Sequence, residues 1–264
     1  TPPADPLAAR ETGDPLLENM WQLYAEAQYA DVRRAIADRQ ASDPSWQPPA
    51  DLLDRLKLAE ARVQLTAASD AKTYDDVVRI AAENPSLLTC SEVDVLWRLA
   101  EAFAGTDRAG RARDAYQYIL DNCNDASERL ATVQKASGLL STEMLEDLLA
   151  KERTSPEGER EFESIRDDLA RRMIAQGNTD ATLVVPPEYL TRLERLAERD
   201  EMASDALILG WYYYRRDNFG PAERWLRKAF TQEETATAAE GLALTLTRQN
   251  APVEAENVLY RWRD

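Results

Sequence analysis

The chain has 264 residues, with 48 acidic side chains against 32 basic ones and a formal charge of −16. A field of that sign repels nucleic-acid backbones and anionic lipid surfaces. There is no histidine, which removes Ser-His-Asp and Cys-His nucleophiles, histidine metal sites and histidine pH switches together. Glycine is scarce, Ala, Leu, Glu and Arg dominate, and no run alternates in the manner of a half-buried strand, so the pattern predicts an all-α chain. No apolar stretch approaches the roughly 20 residues of a membrane-spanning helix, and no direct membrane insertion is expected of this segment.

In chain order, residues 1–13 form a Pro-rich extension (Thr1, Pro2, Pro3, Pro6) of the kind that begins a trimmed or mature chain. Asp14 before Pro15 reads as an N-cap with proline in the first turn. A first helical hairpin follows, with Leu16, Leu23, Val32, Ile36 and Pro44 in frame and Met20 where a small residue is expected. Periodicity alone predicts a second hairpin over about 50–70 and 74–84. Ser91 with Asp94 has the form of a capping box. It opens a third hairpin marked by Leu96, Leu99, Ala100, Phe103, Ala112 and Tyr116. Further hairpins are predicted over 126–139 with 141–153 and over 157–177 with 186–199. The latter has one apolar stripe of Phe162, Ile165, Leu169, Met173 and Ile174 and another of Tyr189, Leu190, Leu193 and Leu196. Residues 178–185 are an irregular linker or hinge, dividing a sub-array at 14–177 from one at 186–264.

The last two hairpins carry the sharpest pattern. Ala206, Leu209, Gly210, Tyr213, Ala222 and Leu226 match the W-x2-L-G-x2-Y, A-x3-F spacing of the tetratricopeptide repeat, with Ala for Trp and Leu for Phe. The frame recurs as Ala239, Leu242, Ala243, Leu246, Ala255 and Leu259. A small residue on the first helix lets the second approach closely, while the large ones fill the space between hairpins. The chain therefore resembles the tetratricopeptide superfamily. That resemblance implies about seven hairpins in a right-handed superhelix, the first helix of each lining the concave side.

The same resemblance places the groove-facing residues on the first helices, away from the small packing residue. Here these are Trp21 and Tyr24, Trp97 and Glu101, and Trp211, Tyr214 and Arg215, with Tyr213 turned into the core. Such rings and charges hold a peptide or a sugar, or else they only pack neighbouring hairpins. Cys90 and Cys123 lie at the same end of the third hairpin, and a disulfide there is geometrically reasonable. Two unrelated thiols are the alternative. A disulfide would point to the periplasm of a bacterium, and its absence to the cytoplasm.

No Gly-rich phosphate loop, CxxC or EF-hand spacing is present, and adjacent acids on a helix diverge, so neither catalysis nor a cofactor nor a metal is expected. The segment from Leu209 to Tyr214, with Ala-Glu-Gly-Leu-Ala-Leu at 239–244, is similar to the periplasmic repeat regions of bacterial exopolysaccharide secretion proteins of the cellulose synthase C type. This implies a non-enzymatic scaffold that holds other proteins in its groove, and that serves polysaccharide synthesis and export. A general assembly scaffold is the alternative, and a helical glycan hydrolase is disfavoured because no carboxylate sits in a catalytic motif.

Overall fold

The computed structural model describes residues 13–262. The Pro-rich extension, apart from Gly13, lies outside the described residues. The chain divides into two compact units, Thr1–Glu152 and Arg153–Asp264. All regular structure among the described residues is helical. The first unit holds α1 (Pro15–Ala25), α2 (Tyr29–Ser42), α3 (Ala50–Asp70), α4 (Tyr74–Glu83), α5 (Val93–Ala104), α6 (Ala109–Asn122), α7 (Ala126–Ser137) and α8 (Thr142–Leu149). The second holds α9 (Glu163–Thr179), α10 (Pro187–Arg199), α11 (Ala203–Tyr214), α12 (Phe219–Gln232), α13 (Ala236–Arg248) and α14 (Pro252–Leu259).

Consecutive helices pack in pairs, α1 on α2 through to α13 on α14. Within each unit, first helices also touch the next first helix: α3 meets α5, α5 meets α7, α9 meets α11 and α11 meets α13. That adjacency lets successive first helices face one another across a cleft.

Five hairpins share one turn. Ala27, Lys72, Asp107, Asp217 and Asn250 each adopt a left-handed backbone, with φ between 55° and 63°. The next residue donates its N–H five positions back: Gln28 to Leu23, Thr73 to Ala68, Arg108 to Phe103, Asn218 to Tyr213 and Ala251 to Leu246. This is the Schellman closure, which satisfies a carbonyl left open at the end of the first helix and reverses the chain within three residues. Asp107, Asp217 and Asn250 are of types that tolerate the conformation, whereas Ala27 and Lys72 pay a Cβ clash there. The pairs α7/α8 and α9/α10 lack the turn, and residues 180–186 join the latter instead.

Cores form where hairpins meet. In the first unit Leu17, Met20, Val32, Ile36, Leu52 and Leu56 make one cluster. Leu65, Val77, Ile80, Leu87, Val95 and Leu99 lie at the centre of another. In the second, Ala222, Leu226, Leu242, Ala243, Leu246 and Ala255 are buried together. Gly210 has a steric role: a Cβ there would lie 2.8 Å from Leu226 Cδ2 and 3.1 Å from the Leu226 backbone nitrogen. Ala100 is fully buried in the matching place on α5.

Asp14 caps α1 as predicted, accepting from the N–H groups of Leu16 and Leu17 and pairing with Arg39 at 2.7 Å. The Ser91–Asp94 capping box does not form: Ser91 bonds the Thr89 hydroxyl, Glu92 precedes α5 without a side-chain cap, and Asp94 pairs with Arg98. Leu16 is exposed, and Leu17 takes its place in the core. α9 begins at Glu163, because residues 154–160 close a small turn with a bridge between Thr154 and Arg160. The compact units divide after Glu152, and α9 runs through 177–179, where the sequence pattern placed the start of a linker. Residues 180–186 remain irregular, but α9, α10 and α11 pack together across them.

Candidate functional site

Aligning Leu99, Ala100 and Phe103 of α5 with Leu209, Gly210 and Tyr213 of α11 brings Trp97, Arg98 and Glu101 into register with Leu207, Ile208 and Trp211. Both trios line a cleft, one in each unit. The equivalence follows from helix geometry. Positions 97, 98 and 101 share a face about half a turn from the stripe through 96, 99 and 103. The next first helix supplies the facing wall.

The cleft of the second unit has a volume of about 470 Å3 and is lined by Asn178, Leu207, Ile208, Trp211, Arg215, Thr237 and Glu240. α9 brings Asn178, whose Nδ2 donates to the Ile208 carbonyl at 3.0 Å. Its Oδ1 is buried without a partner, and so is Trp211 Nε1. An unpaired buried donor or acceptor costs about 1–3 kcal/mol, so a complementary group that reached either atom would be favoured. Arg215 and Glu240 are both exposed, and neither forms an ion pair among the described residues.

The cleft of the first unit is smaller, about 250 Å3, and is lined by Asp94, Trp97, Arg98, Glu101, Tyr116, Lys135 and Leu139. Trp97 is held in place by its Nε1 bond to Thr132 Oγ1 at 2.8 Å, with Lys135 Nζ 4.9 Å from the ring centre. Arg98 is engaged by Asp94 and by Asp70. Tyr116, on α6, has a fully buried side chain whose hydroxyl has no partner. Burial, reinforced by the nearby Glu101 charge, pushes this phenol far above its ordinary pKa, so it stays protonated.

Of the residues singled out from sequence, Trp97 and Glu101 line the first cleft and Trp211 and Arg215 the second. Tyr214 does not: it stacks edge-on to Trp211 and Phe219 and packs on the core of the second unit. Trp21 and Tyr24 also pack, against each other and against the first core cluster, with Arg55 5.8 Å over Trp21. Tyr213 is partly buried, packs against the core of the second unit and donates to Glu194 at 2.7 Å, while Tyr212 is buried more fully, with its ring under Arg216. α11 packs on α9 as well as on α12, so two of its faces are internal.

Sequence reasoning missed Asn178, Tyr116 and Lys135. A tyrosine where the repeat frame otherwise carries Leu226 was the one available signal. Cys90 and Cys123 are joined as a disulfide, with Cα atoms 5.4 Å apart, tying the turn before α5 to the end of α6. Among the described residues no group of three or more Cys, Asp and Glu is arranged to hold a metal ion, and no helix is long and apolar enough to cross a membrane. No protein-family model matches the chain, and no curated protein matches it.

Proposed function

We propose that this chain is a non-catalytic binding scaffold of the tetratricopeptide type, its hairpins continuing as a right-handed solenoid, and that it grips an extended polypeptide along its first helices. The observation that carries this reading is the second unit's cleft. It offers one orphaned donor, Trp211 Nε1, and one orphaned acceptor, Asn178 Oδ1, which is the complement of a peptide group. Leu207 and Ile208 beside them supply an apolar seat for a side chain, and Arg215 and Glu240 flank it with unpaired charge.

The disulfide favours an oxidising compartment, which in a bacterium is the periplasm. The Leu209 to Tyr214 segment supports a place in a polysaccharide-export assembly, where the scaffold would join synthase to pore. A glycosyltransferase and a cellulase encoded beside this chain would favour that placement over a general assembly scaffold.

The test is selection of binders from a displayed library of random peptides on the immobilised protein, followed by titration of the recovered peptides. Trp211→Phe keeps an aromatic ring, smaller than the indole, and removes the donor, and Asn178→Ala removes the acceptor together with the Nδ2 bond to Ile208. Each should weaken binding by about three- to tenfold, the equivalent of one hydrogen bond of about 0.5–1.5 kcal/mol. Peptides that bind both variants as well as they bind the parent would overturn the reading.

A further inference from the structure

The first unit's cleft differs in chemistry from the second although it occupies the matching face. It presents a carboxylate and an ammonium that the protein leaves unneutralised. Glu101 accepts only a 3.3 Å bond from the Tyr74 hydroxyl, and Lys135 makes only its contact with the Trp97 ring. No ion pair joins the two across the cleft they share. The buried Tyr116 hydroxyl stands in the same wall with no partner of its own. Arg98 and Asp94 satisfy each other and add no net charge.

A cleft with separated, unpaired charges of opposite sign is complementary to a ligand carrying both. A neutral polyol would leave both ions uncompensated, and an anion or a cation would compensate one and confront the other. The volume, about 250 Å3, lies below the roughly 300–1,000 Å3 of clefts that take drug-sized ligands. It suits a single small molecule better than a length of chain. Trp97 and the exposed Leu139 are the two apolar residues of an otherwise polar lining.

We infer that the cleft between α5 and α7 is a binding site for a free α-amino acid with an apolar side chain. The ammonium of the ligand donates to Glu101 and to the Tyr116 oxygen, its carboxylate accepts from Lys135, and its side chain lies on Trp97 and Leu139. The inference goes beyond the polypeptide reading and stands on different helices, so either can fail alone.

Isothermal titration of the whole protein with L-leucine and L-phenylalanine tests it, alongside N-acetyl-L-leucine, L-leucinamide and cellobiose. The free amino acids should bind saturably, and blocking the amine or the carboxylate should each abolish the signal. Glu101→Gln and Lys135→Met should each weaken binding at least tenfold, with the melting temperature within a degree or two of the parent, since both residues are exposed. Tyr116→Phe should weaken it several-fold without loss of stability. The proposal is overturned if neither amino acid binds, if a blocked derivative binds equally well, if cellobiose binds in their place, or if the Glu101 and Lys135 variants bind as the parent does.

Discussion

Replacing Gly210 with Ala puts two effects of opposite sign in competition. In an open helix the change gains about 1 kcal/mol, because glycine carries the larger backbone entropy cost. At Gly210 the new methyl meets Leu226 Cδ2 at 2.8 Å and the Leu226 backbone nitrogen at 3.1 Å. A side-chain end can swing away, but the backbone of α12 cannot shift without disturbing its packing on α13. Overpacking of that kind costs about 1–3 kcal/mol. The net expectation is a loss of about 1–2 kcal/mol, lowering the melting temperature by several degrees on the scale of one small unit. Gly220→Ala is the internal control, since that glycine lies within α12 with open space around it, and the variant should be neutral to slightly stabilising. In a Leu226→Ala background the side-chain part of the clash is gone and only the 3.1 Å approach to the backbone nitrogen remains, so Gly210→Ala should cost less and the double-mutant coupling should report the side-chain share of the penalty. Urea denaturation of the four chains reads all of this. If Gly210→Ala stabilises the parent as much as Gly220→Ala does, the close-approach argument for the repeat is wrong.

Other outcomes follow from the same structure. Ala27→Gly and Lys72→Gly should each raise stability by up to about 1 kcal/mol in denaturant titrations, because the left-handed turns they occupy penalise a Cβ. Reduction of the Cys90–Cys123 bridge should destabilise the first unit by about 3–4 kcal/mol in the chain-entropy model, seen as a lowered midpoint in dithiothreitol. Stability should be flat between about pH 5 and 8, where no histidine titrates. It should then fall in acid, because Asp121 beside Lys151, Glu163 beside Arg192 and Glu198 beside Lys228 are held below their ordinary values by hydrogen bonds from those cations. Their folded pKa values lie below the unfolded ones. Their contribution is therefore complete above about pH 4–5 and lost as the pH drops through the folded values. Buried Tyr116 and half-buried Tyr213 act with the opposite sign: both are raised, chiefly by desolvation, so stability should decline once the pH passes about 10. Melting curves across the pH range check both limbs.

The fold was legible where packing imposes a spacing. Leu99, Ala100, Leu209, Gly210, Leu242 and Ala243 are all buried on first helices, and Ala112, Ala222 and Ala255 are buried on second helices. The five turns were not legible as one recurring device, because Ala27 and Lys72 carry no compositional mark of a left-handed backbone. Backbone closure between two well-packed helices holds them there. The rings at helical spacing divided for a similar reason. Trp97 and Trp211 reach a cleft, while Trp21, Tyr24 and Tyr214 are absorbed by packing. Sequence spacing gives a residue's face on its own helix but not which neighbour covers that face. Asn178 was invisible for that reason, since it enters the second cleft from α9, a different hairpin.

The central claim is that the second unit's cleft receives a peptide group through Trp211 and Asn178. The most direct measurement is the affinity of one selected peptide for the parent, for Trp211→Phe and for Asn178→Ala, paired with the same peptide N-methylated at each amide in turn. The account predicts that one methylated position loses binding to the parent, that the same methylation costs little further in Asn178→Ala, and that all three proteins stay folded, Asn178→Ala melting a few degrees lower for loss of its Nδ2 bond to the Ile208 carbonyl. Equal affinity of the three proteins for the peptide, with no methylated position distinguished, would contradict it.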